Sequence, residues 1–141
     1  MNRPRVLVAE KIGDSGVTLL REHFEVEVSP GWDRAELVRR IGEYDGILIR
    51  SATALDAELL DAASRLRAVG RAGVGVDNVD VEAATKRGIV VANAPETNVV
   101  TAAEHTMALL LALARNIPQA DASLRAGRWE RGRFSGVELY E

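Results

Sequence analysis

The stretch Gly70-Arg71-Ala72-Gly73-Val74-Gly75-Val76-Asp77-Asn78-Val79-Asp80 decides how this chain is read. Ala68 to Arg71 reads as a short strand, and Asp80 reads as the N-cap of a helix that Gly88 closes. The connection between them carries little side-chain bulk, so backbone N–H groups and one arginine can approach an anion closely. It departs from the dinucleotide fingerprint G-x-G-x-x-G, because Asn78 stands where the third glycine belongs. A plain tight strand-to-helix turn has the same composition, so both readings stay open at this point.

Outward from this turn, β-branched runs recur at Arg5 to Ala9, Phe24 to Val28, Gly46 to Arg50 and Gly88 to Ala92. Each interval holds one helix. Asp14 or Ser15 caps the first, Asp33 with Glu36 as a capping box opens the second, and Asp56 opens the third. Strands alternating with helices, joined by right-handed crossovers, predict an α/β fold: a flavodoxin-like doubly wound five-stranded parallel sheet in the order 2-1-3-4-5. Such sheets bind ligands beyond the carboxyl ends of their strands. That rule selects Arg50-Ser51-Ala52-Thr53, Arg71 to Gly75, and Asn93 to Asn98, which that strand order makes neighbours.

The pattern changes after Asn98. Thr101 and Glu104 read as a second capping box for a helix that is apolar around most of its circumference, through Met107, Leu109, Leu110, Leu111 and Leu113 towards Arg115 and Pro118. Such a helix predicts cover from another domain or subunit. From Pro118 onward Arg125, Arg128, Arg131 and Arg133 surround Trp129 and Phe134, which reads as an extended arm docked on a partner. The expected organisation is a substrate-binding domain over 1–98, an interdomain helix over 99–117 and an arm over 118–141.

Composition narrows the function. The 141 residues are 47% hydrophobic, enough for one ordinary packed domain. With no cysteine, thiolate catalysis and Cys-based metal sites are excluded, and a cytoplasmic setting is the default. The apolar run ending at Glu10 is too short for a signal peptide or membrane span. A formal charge of -3 argues against a general nucleic-acid surface. His105 reads as a half-buried packing residue and His23 as an exposed one, so neither makes a nucleophile relay or a metal site.

The phrases Arg50-Ser51-Ala52-Thr53, Val69 to Asp80, Glu82 to Ile89, Asn93-Ala94-Pro95-x-x-Asn98 and Ala102-Ala103-Glu104 occur in an order that resembles the phosphoglycerate branch of the D-isomer-specific 2-hydroxyacid dehydrogenase family. That resemblance implies a flavodoxin-like substrate domain working with a Rossmann domain, NAD as cofactor, and oxidation of 3-phosphoglycerate to 3-phosphohydroxypyruvate in serine biosynthesis, within a homo-oligomer. It implies that the nucleotide-binding segment and the arginine, glutamate and histidine used for catalysis follow Glu141. No catalytic residue and no turnover are therefore expected of these 141 residues alone.

The implied substrate has a carboxylate at one end and a phosphate at the other. Arg50 and Arg71 are candidates to face those anions, with Ser51 beside them. Gly73, Val74 and Gly75 would offer backbone N–H groups to the carboxylate, and Val74 would also lie beside the nicotinamide. Asn98 would donate its amide, and Arg131 would reach a phosphate across a dimer. Plainer roles compete: Arg50 could pair with Glu96 or Glu58, and Ser51 and Asn98 could be turn residues. The whole chain could also be an inert ligand-binding or assembly module. A receiver-like signalling domain shares the topology, but only Glu10 stands where its acidic cluster would follow the first strand.

Overall fold

A computed structural model describes residues 3–140. The strands are β1 (Arg5–Val8), β2 (Glu25–Val28), β3 (Gly46–Ile49), β4 (Ala68–Arg71) and β5 (Val90–Asn93), and they form one parallel sheet in the order β2-β1-β3-β4-β5. Helices α1 (Asp14–His23), α2 (Arg34–Arg40), α3 (Ala57–Ala62) and α4 (Val81–Lys86) fill the crossovers. After them come α5 (Val99–Ala114) and α6 (Ile117–Arg125). The chain divides into two compact units, one ending at Thr97 and the other starting at Asn98.

In the first unit, alternation along the strands sends Leu7, Ile47, Ile49 and Val69 to one face of the sheet. There they pack with Leu37 and Ile41, with Leu59 and Leu60 of α3, and with Ala83 and Ala84 of α4. The opposite face is covered differently. Leu20 of α1 and the following Phe24 lie beside Val6 and Leu48, while Gly46, Ala68, Gly70 and Val90 line an open groove of about 500 Å³. Val90 is 64% exposed there.

Three of the predicted caps are present. Asp33 accepts from the N–H of Glu36 at 2.8 Å, Asp56 from Leu59 at 3.0 Å and Asp80 from Ala83 at 2.8 Å. Gly88 ends α4 in the left-handed region, with φ at +69°. At α1 the expectation fails: Gly13 is the N-cap and its carbonyl takes the first turn's N–H groups, so Asp14 becomes the first helical residue. Its charge still suits the helix amino end.

The second unit departs further from expectation. α5 opens at Asn98, whose carbonyl already accepts from Ala102, so Thr101 lies inside the first turn and caps nothing. None of the α5 residues is buried, and His105 is exposed rather than half-buried. The helix ends at Ala114, because Asn116 adopts a left-handed conformation at φ 53°. Pro118 then starts a helix instead of preceding an arm: in the first turn a missing N–H costs nothing, and Asp121 pairs with Arg125 one turn later. The chain beyond folds back. Ser123, 4% exposed, donates to Glu130 at 2.6 Å, and Val137 donates to the Ala114 carbonyl at 2.8 Å.

No helix among the described residues is long and apolar enough to cross a membrane. The core of the first unit supplies a stability test. Leu59 is fully buried between α3 and the sheet, so Leu59→Ala is expected to lower unfolding stability by about 2–5 kcal/mol in urea denaturation.

Candidate functional site

Parallel register brings the site together. Ile49 pairs with Arg71 and Arg71 with Asn93, so the turns leaving β3, β4 and β5 emerge side by side at the carboxyl edge of the sheet. Peptide groups there have left the ladder and need other partners. Side chains supply them. The Glu10 carboxylate accepts from the N–H groups of Arg50 and Thr53 at 2.9 Å each and of Ala52 at 3.2 Å. The Asn78 amide donates to the carbonyls of Arg50 at 2.8 Å and Thr53 at 2.7 Å. Asn93 donates to the Val74 carbonyl at 2.6 Å, and the Ala94 N–H donates to the Gly73 carbonyl at 3.0 Å.

These three residues were not singled out as site residues by sequence reading. Asn78 carried a signal, since it occupies the position that departs from G-x-G-x-x-G, and its amide is what ties two neighbouring turns together. Glu10 carried only its place after β1.

Arg71 and the glycines act differently from expectation. The Gly73 N–H donates to the Arg71 carbonyl at 2.8 Å, so it is already engaged and is not offered to a ligand. Gly73 instead makes room: a Cβ at that position would collide with Nη1 of Arg71, whose guanidinium folds over it. Gly75 likewise leaves space for Asp77, whose Oδ1 would lie 2.8 Å from an added Cβ. Among the described residues, neither Val74 nor Gly75 donates its N–H, and Val74 is 39% exposed. Two buried side-chain polar atoms lack a partner among the described residues, Arg71 Nε and Asn78 Oδ1, and both belong to this edge.

Arg50 and Ser51 are exposed, and Arg50 makes no ion pair among the described residues; Glu58, considered as its partner, pairs with Arg34 at 2.7 Å. The first unit therefore assembles Arg50, Ser51, Arg71, Gly73, Val74 and Gly75 along one edge. Asn98 and Arg131 belong to the second unit. Asn98 is the N-cap of α5 without a side-chain cap bond. Of the four arginines beyond Pro118, Arg125 pairs with Asp121 and Arg128 and Arg133 pair with Glu130, whereas Arg131 is exposed and makes no ion pair among the described residues. No group of three or more metal-ligating side chains occurs among the described residues.

The family model for D-isomer specific 2-hydroxyacid dehydrogenase, catalytic domain, matches residues 6–138. The chain belongs to this family. It is 53% identical over 136 residues to the D-3-phosphoglycerate dehydrogenase of Archaeoglobus fulgidus, covering 96% of this chain and 26% of that protein. It thus spans about a quarter of the length of the curated relatives it matches. Among solved structures, the NADPH-dependent glyoxylate/hydroxypyruvate reductase of Sinorhizobium meliloti in complex with citrate matches with a TM-score of 0.80 at 37% identity, over 99% of this chain and 44% of that one. The NAD+-bound 3-phosphoglycerate dehydrogenase of Entamoeba histolytica matches with a TM-score of 0.69 at 27% identity, over 80% of this chain and 40% of that one.

Two expected outcomes test the geometry. Gly73→Ala forces the Arg71 guanidinium out of the space beside residue 73, so stability stays within about 1 kcal/mol while the Arg71 Nε–H exchanges faster with solvent in NMR spectra. Burial disfavours the charged Glu10 carboxylate, but the N–H groups of Arg50, Thr53 and Ala52 outweigh it and hold its pKa below the ordinary value. Unfolded glutamate titrates near about 4.3, so this stabilisation is complete above that pH and lost as pH falls through the lower folded value. A carboxyl NMR titration of Glu10 should show a midpoint below that of free glutamate.

Proposed function

We propose that this chain forms the substrate side of an NAD-dependent oxidoreductase that converts 3-phosphoglycerate to 3-phosphohydroxypyruvate, residues 1–98 holding the substrate, 99–117 linking to a nucleotide-binding domain, and the stretch from 118 onward, α6 with the segment folded back on it, leading towards that domain. The observation that carries this reading is the half-buried Arg71 guanidinium, with its Nε unpartnered, beside the undonated N–H groups of Val74 and Gly75. Such a set suits a carboxylate: the guanidinium supplies charge and the two peptide groups supply directed donors at low steric cost.

Arg50 and Ser51 project from the neighbouring turn, where a second anionic group of the same ligand would meet a positive charge and a hydroxyl. Asn98 and Arg131 remain candidates from the second unit, one as an amide donor and one as an unpaired cation towards phosphate. The exposed side chain of Val74 fits the apolar face of a nicotinamide ring. When bound, that cofactor supplies hydride acceptance from the substrate C2. The residues on this edge bind and orient the acid so that C2 is held in place, and the ionised carboxylate is kept charged by the donors around it. The similarity to D-3-phosphoglycerate dehydrogenases supports the phosphorylated substrate, and a homo-oligomer is the assembly proposed for the enzyme.

Calorimetry of the full chain tests the reading. 3-Phosphoglycerate is expected to bind more tightly than glycerate, and Arg71→Ala is expected to weaken it at least tenfold, about 1.4 kcal/mol. Equal affinity for the two acids would remove the phosphate from the proposal. Binding unaffected by Arg71→Ala would remove the site.

A further inference from the structure

We infer that Glu10 is a positioning residue of this site, acting through the Arg50–Thr53 turn rather than on a ligand. The inference builds on the proposed substrate reading and extends it to a residue outside the arginine and glycine set.

The argument starts from β1. Ala9 continues the β1–β3 pairing past the strand end, its N–H donating to the Leu48 carbonyl at 3.0 Å. The next residue, Glu10, is thereby delivered to the carboxyl edge alongside the end of β3. Its two oxygens then take three donors from the turn: Oε1 the N–H groups of Arg50 and Thr53, Oε2 that of Ala52. On the other flank, the Asn78 amide takes the carbonyls of Arg50 and Thr53. The turn is held by its donors from one side and by its acceptors from the other, one clamp coming from the end of β1 and the other from the loop that leads into α4.

What this leaves unclamped is specific. The Arg50 guanidinium and the Ser51 hydroxyl and N–H take part in none of these bonds, so the pieces able to meet a ligand ride on a backbone whose orientation is set elsewhere. The sign of the charge supports the same conclusion. A free carboxylate beside Arg50 and Arg71 would repel an anionic ligand and neutralise the cations. Glu10 makes no ion pair with either arginine among the described residues; its charge is directed at peptide N–H groups, which an ionised carboxylate binds more strongly than a neutral acceptor does. A neutral amide of the same shape replaces it only in part: its oxygen accepts from Arg50 and Thr53 without the charge that strengthens those bonds, and its NH2 turns hydrogens towards the Ala52 N–H.

The experiment compares wild-type full chain with Glu10→Gln and with Glu10→Asp, which keeps the charge but is one methylene too short. Amide hydrogen exchange is read residue by residue. Both variants are expected to speed exchange at Arg50, Ala52 and Thr53 at least tenfold while the Leu7 and Ile47 amides of β1 and β3 stay unchanged; equal exchange at the three turn amides overturns the inference. Should one variant fail to fold, the other is read in the same way. Calorimetry with 3-phosphoglycerate adds the link to Arg50. Glu10→Gln is expected to weaken binding, and the Glu10→Gln/Arg50→Ala double variant is expected to lose no more than Arg50→Ala alone. Additive losses would mean that Glu10 does not act through Arg50. A wild-type chain that fails to bind 3-phosphoglycerate would sink the substrate reading, and the exchange comparison would still decide whether Glu10 holds the turn.

Discussion

A peptide group that leaves the end of a parallel strand loses its ladder partner, and the carboxyl edge of this sheet is organised around replacing those partners. Glu10 and Asn93 reach from the ends of β1 and β5, and Asn78 reaches from the loop before α4, each bonding the backbone of a neighbouring turn. The consequence is a row of turns that are tied laterally. Arg50, Arg71 and Val74 sit on that row, so their placement depends on bonds made by residues that themselves need not touch a ligand.

Within the row, glycine serves two purposes that sequence inspection merges. Gly73 is needed for the volume it vacates, which the Arg71 guanidinium occupies, and its own N–H is spent on a local turn. The donors left over belong to Val74 and Gly75. A motif of small residues around an arginine therefore works as a seat for the cation and, one residue later, as a source of peptide donors. This division explains how Arg71 can be half-buried with no acidic partner among the described residues: the space beside it is backbone and glycine rather than carboxylate.

Charge is sorted with similar economy across the molecule. Several acidic residues elsewhere in the first unit are bound to arginines, as Glu27 is to Arg40 and Asp45 to Arg65, or cap helices, as Asp80 does. In the second unit Glu130 holds Arg128 and Arg133, while Arg131 makes no ion pair among the described residues. The net charge of -3 thus conceals cations, Arg50, Arg71 and Arg131 among them, that make no ion pair among the described residues.

The strand order, the four crossover helices and the edge that gathers Arg50 and Arg71 were legible in the sequence, because period-two apolar runs, Asp caps and right-handed crossovers are local signals that leave few topologies. In the second unit one local signal has two meanings: Pro118 suits the start of a helix as well as the end of one, and the structure uses it in the first turn of α6. Sequence by itself determined the fold class, the turns that meet at one edge and the residue types available there. Tertiary structure alone decided that Glu10 and Asn78 grip the β3 turn, that Gly73 seats Arg71, and which N–H groups remain undonated. Those are contacts between residues far apart along the chain, and hydrogen bonds of that kind are set by three-dimensional register, which no local pattern encodes.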